Sequence, residues 1–300
     1  MPIKPSPAVV RAAEILDFLA RTPRHPQSLS EVARRTGISK ATCHALLLGL
    51  VDAGLVARHD ASRRYGLGPV LIPLGEAAAV GHEVARFARP EMERLAEALL
   101  MPVLGAVQAG SRLVVVASTP SPRPFGVSLP MGHAVPFVPP LGAAYVAWSS
   151  PDAVEEWLAR APEPLTPDER AHVAAALALI RELGFGVTLD SGVRVELGDT
   201  IATLVEHPDA DEVRAKRDEL IRRLAGRDYL PTRFAPDATH RITQISAPVF
   251  DHHEEVVMIV AVTAIGLELG RAGILQHGRA VRAAADRVTV AIGGAPPAAV

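Results

Sequence analysis

Between Ser28 and Gly54 the chain reads SLSEVARRTGISKATCHALLLGLVDAG, a run with little freedom in how it folds. Ser28 and Glu31 stand at capping-box spacing, where the serine hydroxyl accepts the amide three residues on and the glutamate reaches back. The helix they open carries Val32 and Ala33 and stops at Thr36-Gly37, because glycine can take the positive φ of a tight turn. Ile38 follows as the buried plug of that turn, and Ser39 caps a further helix from Lys40 to Ala53. The apolar face predicted for it is Ala41, Leu46, Leu47 and Leu50, with Cys43 packed inward and Gly54 at its end.

The flanks complete a unit. Residues 7–22, PAVVRAAEILDFLART, read as an amphipathic helix with Val9, Ala12, Ala13, Leu16 and Leu19 on one stripe, ended by Pro23 and Pro26. After Gly54, residues 55–58 and 64–67 alternate around the polar turn His59-Asp60-Ala61-Ser62-Arg63, which predicts a hairpin. Helix, helix, glycine turn, helix, hairpin is the order of a winged helix-turn-helix.

In such a unit the helix after the turn lies in the DNA major groove, and its first residues face base edges. Here these are Ser39, Lys40, Thr42 and His44. Lys40 can donate to a guanine edge or a phosphate, and Thr42 can do either or touch a thymine methyl. Arg63 and Arg64 stand at the wing tip, in reach of phosphates or a narrow minor groove, and Tyr65 beside them is assigned to the same surface. Charge agrees. Residues 1–75 carry ten basic and five acidic side chains, a balance of +5 in a chain of net charge −2. A basic module on an acidic body suits a polyanion, whose counterions binding releases.

At 300 residues and 49% hydrophobic content the chain predicts two domains with sizeable cores. Apolar runs are too short or too interrupted for a membrane span, and MPIKPSPAVVRAAE lacks the apolar core of a secretory signal. A cytoplasmic protein without a membrane partner is expected. One cysteine, Cys43, excludes an internal disulfide framework and a cysteine-rich zinc site, and no cofactor or metal is expected.

Residues 69–80 and 83–99 read as linker helices, with Gly81 a joint and Pro90 near a break. The texture then changes. Strands are predicted over 103–108 and 113–118, with proline-rich loops or edges at 120–124 and 136–140. Helices follow over 141–149, 151–160 and 166–183, and extended segments at 187–189 and 242–250. Asp251-His252-His253-Glu254-Glu255 turns the chain into a buried strand, 256–263, before a last helix at 274–292. The acid and histidine groups of that turn lack HExxH spacing and read as a polar hairpin turn rather than a metal or catalytic site. No catalytic residues are assigned. Helices mixed with hairpin strands indicate an α+β domain.

The string from Ser28 to Gly68, with ARPEMERLAEAL, LPMGHAVPFVPPLGAAYVAW, RELGFGV and ISAPVFDHHEEVVMIVAVTA, resembles the IclR-type family of bacterial transcription regulators. The resemblance covers most of the chain except about residues 190–240. It implies a multidomain α+β fold: a winged helix-turn-helix over 1–76, linker helices over 77–100, and a GAF/PAS-like effector-binding domain over 101–293 with an insertion at about 190–240. It also implies a repressor or activator that binds operator DNA and a small organic effector, as a homodimer or dimer of dimers. The effector positions it points to are Val138, Leu141, Gly142, Asp190, Gln244, Ala261 and Thr263.

The sequence departs from the family after His44, where Ala45 replaces a common arginine, and on the late strand, where Ala261 and Thr263 replace two serines. The first departure keeps open a sensor with weakened DNA binding. The second favours an effector more apolar than a simple small carboxylate. The third reading, an enzyme built on the second domain, has only the turn at 251–255 behind it. The helix expected over Asp209–Arg227 either covers the effector site or the dimer surface, or is solvated elaboration.

Overall fold

The computed structural model describes residues 6–20, 22–23, 25–59, 61–81, 83–120, 129, 131–161, 163–189, 196, 200, 203, 212–213, 215–216, 219–220 and 229–297. The chain divides into two compact units, Met1–Gly81 with Thr203–Ala210, and His82–Ala202 with Asp211–Val300.

The first unit runs α1 (Pro7–Ala20), β1 (Gln27–Ser28), α2 (Leu29–Thr36), α3 (Lys40–Asp52), β2 (Val56–His59), β3 (Arg64–Leu67) and α4 (Leu71–Gly81). Both local signals of the opening motif are realised. Ser28 forms the capping box with Glu31, and Gly37 takes φ 69° at the end of α2. The hairpin is extended by an unexpected strand, since β1 pairs on the far side of β3 to give the order β1-β3-β2. Two residues bounded by Pro26 and a helix start leave no alternation to read.

Which helix faces are buried differs from expectation. In α1 the core takes Ile15, Phe18 and Leu19, while Val9 is 68% exposed and Ala13 is exposed. Both arcs of this helix are apolar, and the one with the larger side chains removes more area from water. In α3 Ala41 is exposed, and the inward face is Cys43, Leu47 and Leu50. Tyr65, expected on the DNA surface, is 3% exposed and belongs to this core. Its strand neighbour Arg64 points the other way, as alternate residues of a strand must.

The second unit runs α5 (Glu83–Leu99), β4 (Val103–Ala109), β5 (Arg112–Ser118), β6 (Ala134–Pro136), α6 (Ala143–Val146), α7 (Pro151–Leu158), α8 (Pro167–Leu183), β7 (Gly186–Leu189), β8 (Thr239–Phe250), β9 (Val256–Gly270) and α9 (Arg271–Ala291). Its sheet has the order β6-β5-β4-β9-β8-β7, with every neighbouring pair antiparallel. Helices α5 and α9 pack on one face, over Ile245, Ala247, Met258, Val260 and Val262. Helix α6 packs on the other, over Leu104, Ala106, Ile259 and Ala261, and α7 and α8 extend that layer. Glu91 ties the two helices of the first face together: its carboxylate accepts Arg287 Nε at 2.6 Å and pairs with Arg94 Nη2 at 2.7 Å.

Helix α5 passes through Pro90 without a break. Pro90 and Arg86, whose carbonyl loses its helical donor, are both exposed, so water can meet the freed group. The helix expected over 141–149 is only Ala143–Val146, because Gly142 sits at φ 86° and blocks an earlier start. Strands β8 and β9 are longer than predicted. Their outer ends pair Arg241 with Glu268 and lack the apolar alternation that marks a buried strand. Asp190 lies outside the described residues. So does most of the helix expected over 209–227, of which Glu212, Val213, Ala215, Lys216, Glu219 and Leu220 are described and helical.

Candidate nucleic-acid interface and effector face

Helix α3 enters from Gly37 and Ile38, with Ile38 7% exposed beneath the turn. Ser39 caps it: the Thr42 amide donates to Ser39 Oγ at 3.3 Å, and Ser39 Oγ donates to Thr42 Oγ1 at 2.9 Å. The Ser39 hydroxyl is thus spent within the helix terminus, and Thr42 keeps a proton to donate outward. Lys40 and His44 are exposed, and neither side chain has a hydrogen bond or ion pair among the described residues. The positive N-terminal end of α3 is free of acids in its first turn.

The outward face also carries Ala41, Ala45 and Leu48, the last 47% exposed. They follow one another at three- and four-residue spacing on the side opposite Cys43, Leu47 and Leu50. Apolar groups there can meet thymine methyls. From sequence Ala41 is expected on the buried face and Leu48 has no assigned role, because apolar residues in a helix read as core.

On the wing, Arg63 occupies the hairpin turn at φ 52° and is exposed, with no side-chain partner among the described residues. Arg64 is engaged. Its Nη1 donates to the Pro26 carbonyl at 3.0 Å and lies 3.5 Å from Glu31 Oε2. The same Oε2 accepts the Ser28 amide at 2.7 Å. That amide bond, the Ser28 hydroxyl and the nearby Arg64 and Arg34 charges hold the Glu31 carboxyl below its ordinary value, against a smaller opposing effect of burial. Arg58, on the exposed end of β2, is a further wing cation that the sequence reading left unassigned. Cys43 is fully buried, and desolvation pushes its thiol pKa up.

In the second unit the strand register gathers several of the positions at which the resemblance places an effector. Gln244 stands directly opposite Thr263, and Ser246 opposite Ala261. Opposed residues share a face, as do alternate ones, so all four lie on one side of the sheet. Ala261 packs with Ala144 of α6, which makes it the side that α6 covers. Ser246, which the sequence left unassigned, shares this face by period-two spacing from Gln244. Ala261 is fully buried, whereas Gln244 and Thr263 are half-buried. The Thr263 amide and hydroxyl both donate to the Pro102 carbonyl, at 3.0 and 3.4 Å.

Val138, Leu141 and Gly142 lie in the loop entering α6, and Val138 and Leu141 pack against the cluster that includes residues of α7 and α8. The Leu141 carbonyl accepts Trp157 Nε1 at 3.1 Å. At Gly142 a Cβ would stand 2.4 Å from the Phe137 ring, which meets Tyr145 edge-on at 5.7 Å between centroids. Burial raises the Tyr145 phenol pKa, so this ring presents a neutral hydroxyl. The turn between β8 and β9 is a hairpin turn: Asp251 Oδ1 accepts the His253 and Glu255 amides at 2.8 and 3.0 Å.

Comparison with known proteins agrees with this geometry. Residues 8–60 match the family model described as the IclR helix-turn-helix domain. The glycerol operon regulatory protein of Streptomyces coelicolor is 40% identical over 74 residues, which take in 25% of this chain and 29% of that protein. The match thus spans less than a third of the curated relative. Over the whole fold, the crystal structure of an IclR transcriptional regulator from Alicyclobacillus acidocaldarius superposes with a TM-score of 0.65 at 21% identity, covering 96% of this chain and 99% of that one. An IclR homologue from Microbacterium hydrocarbonoxydans, complexed with 4-hydroxybenzoate, superposes with a TM-score of 0.60 at 15% identity over 95% of this chain and 99% of that one. Residues 8–60 are thus similar to the IclR helix-turn-helix domain, and the fold of the whole chain is that of IclR transcriptional regulators of known structure.

Proposed function

We propose that this protein is a transcription regulator that binds operator DNA through α3 and the wing, and whose operator affinity is set by a small organic effector held in the second unit. One observation carries the DNA half: the matched helix-turn-helix presents Lys40, Thr42 and His44 outward from the start of α3, beside a wing arginine, Arg63, that has no side-chain partner among the described residues. The relatives compared are regulators rather than enzymes. A gel shift on the DNA upstream of its own gene tests this, with loss of the shift in Lys40→Ala expected.

The effector half rests on the sheet face beneath α6 and on the ligand of the Microbacterium protein. Val138, Leu141, Gly142, Gln244, Ala261 and Thr263 are the proposed contacts. With a buried alanine at 261 and half-buried Val138 and Leu141, the site favours a largely apolar molecule held by a few polar anchors. A thermal shift screen distinguishes this from a simple carboxylate site, since stabilisation by small organic acids alone contradicts it.

A homodimer or dimer of dimers follows from α4. Ile72 and Leu74 are 65% and 52% exposed on a helix whose sequence is apolar apart from Glu76, a surface that a second copy would cover. Sedimentation of the full chain reads the assembly. A cytoplasmic location suits a DNA-binding regulator, and among the described residues no helix is long and apolar enough to cross a membrane.

A further inference from the structure

We propose that Arg64 is a positioning residue that locks the wing to the start of α2, leaving Arg63 to meet the DNA backbone. This rests on the DNA-binding reading above and revises one residue of it.

The two neighbouring arginines are chemically identical and differ in what they face. Arg63 stands in the turn, free of partners among the described residues. Arg64 lies opposite Ser28 in the β1–β3 ladder, which carries its side chain over the loop before α2. There it finds the Pro26 carbonyl and the Glu31 carboxylate at 3.0 and 3.5 Å. The bond to Pro26 closes across 38 residues of chain. Glu31 Oε2 accepts the Ser28 amide as well, so one carboxylate oxygen joins the α2 cap to the wing.

A half-exposed ion pair adds little stability. Its value here is geometric. Pro26 can donate nothing to a sheet, so β1 is two residues long and ends where α2 begins. A guanidinium on the Pro26 carbonyl does what a further ladder bond cannot. It fixes the angle between the hairpin and the helix pair, on which simultaneous groove and backbone contact depends.

The test measures binding of the full chain to its own upstream DNA against salt concentration, for Arg63→Ala, Arg64→Ala, Arg64→Lys and Glu31→Gln. A lost phosphate contact lowers the slope of log K against log salt by about 0.9. Arg63→Ala is expected to show that drop. Arg64→Ala and Glu31→Gln are expected to keep the slope, to weaken binding by similar factors, and to show no further loss when combined. Arg64→Lys, with one donor head, restores part of the loss. Amide exchange of the free protein reads the clamp without DNA: Arg64→Ala should speed exchange at Ser28 and in residues 64–67. A slope drop in Arg64→Ala equal to that of Arg63→Ala, or unchanged exchange, overturns the proposal. If the wild type binds no DNA, the DNA reading fails, and the exchange result still decides the clamp.

Discussion

Replacing Gly142 by alanine should destabilise the second unit by more than any other single-methyl change in the loop before α6. Two costs add. At φ 86° the backbone is in the left-handed region, which costs an alanine about 1–2 kcal/mol. The added Cβ would also stand 2.4 and 2.5 Å from two atoms of the Phe137 ring and 3.1 Å from Leu113 Cδ1. Phe137 is 4% exposed and wedged between Tyr145 and Trp157, so the ring cannot swing away. Overpacking of this kind costs about 1–3 kcal/mol. The sum is about 2–5 kcal/mol, which for a domain of this size lowers Tm by roughly 4 °C at the least. Gly110 is the control: it has φ 59° and nothing within 4 Å of its would-be Cβ, so Gly110→Ala carries the backbone cost alone. Thermal unfolding of the two variants side by side isolates the clash. Equal shifts for Gly142→Ala and Gly110→Ala would refute the wedge, and no shift in either would refute the left-handed turn as well.

Other outcomes follow from the same contacts. Removing Arg287 leaves the buried Glu91 with Arg94 alone, so Arg287→Ala should cost about 1–3 kcal/mol, and Glu91→Leu in that background should recover part of it in chemical denaturation. The Glu31 carboxyl titrates below its ordinary value of 4.5 in the folded chain. Its contribution is whole above that pH and fades as pH falls through the depressed value, and Glu31→Gln should flatten that part of the acid unfolding curve. Burial raises the Cys43 thiol pKa, so a thiol reagent should label native protein far more slowly than urea-unfolded protein, and fast native labelling would show the first core to be open.

What the sequence disclosed divides by the range of the forces involved. The capping box at Ser28, the turn at Gly37 and the cap at Ser39 depend on residues three or four apart, and all three can be read directly. Burial is decided at longer range. In α1 two apolar arcs compete, and only the packing partners choose Ile15 and Phe18 over Val9. Tyr65 beside two arginines looked like part of a binding surface, and strand alternation turned it inward. Arg64 could not be distinguished from Arg63 until the β1 pairing, two residues long, brought Pro26 and Glu31 within reach. In the second unit, the pairing of Gln244 with Thr263 follows from hairpin register, which bulges beside Gln244 and at Phe250 obscure in the sequence.

The central claim is that the start of α3 reads DNA although Ala45 stands where an arginine is common in the family. Fluorescence anisotropy of the full chain on its own upstream DNA, with unrelated DNA as competitor, tests this most directly. The account predicts specific binding that survives the competitor and weakens steeply with salt, and Lys40→Ala should lower affinity by about 5- to 160-fold, the worth of one base-edge contact. Binding no tighter than to the competitor, or specific binding indifferent to Lys40→Ala, would contradict it.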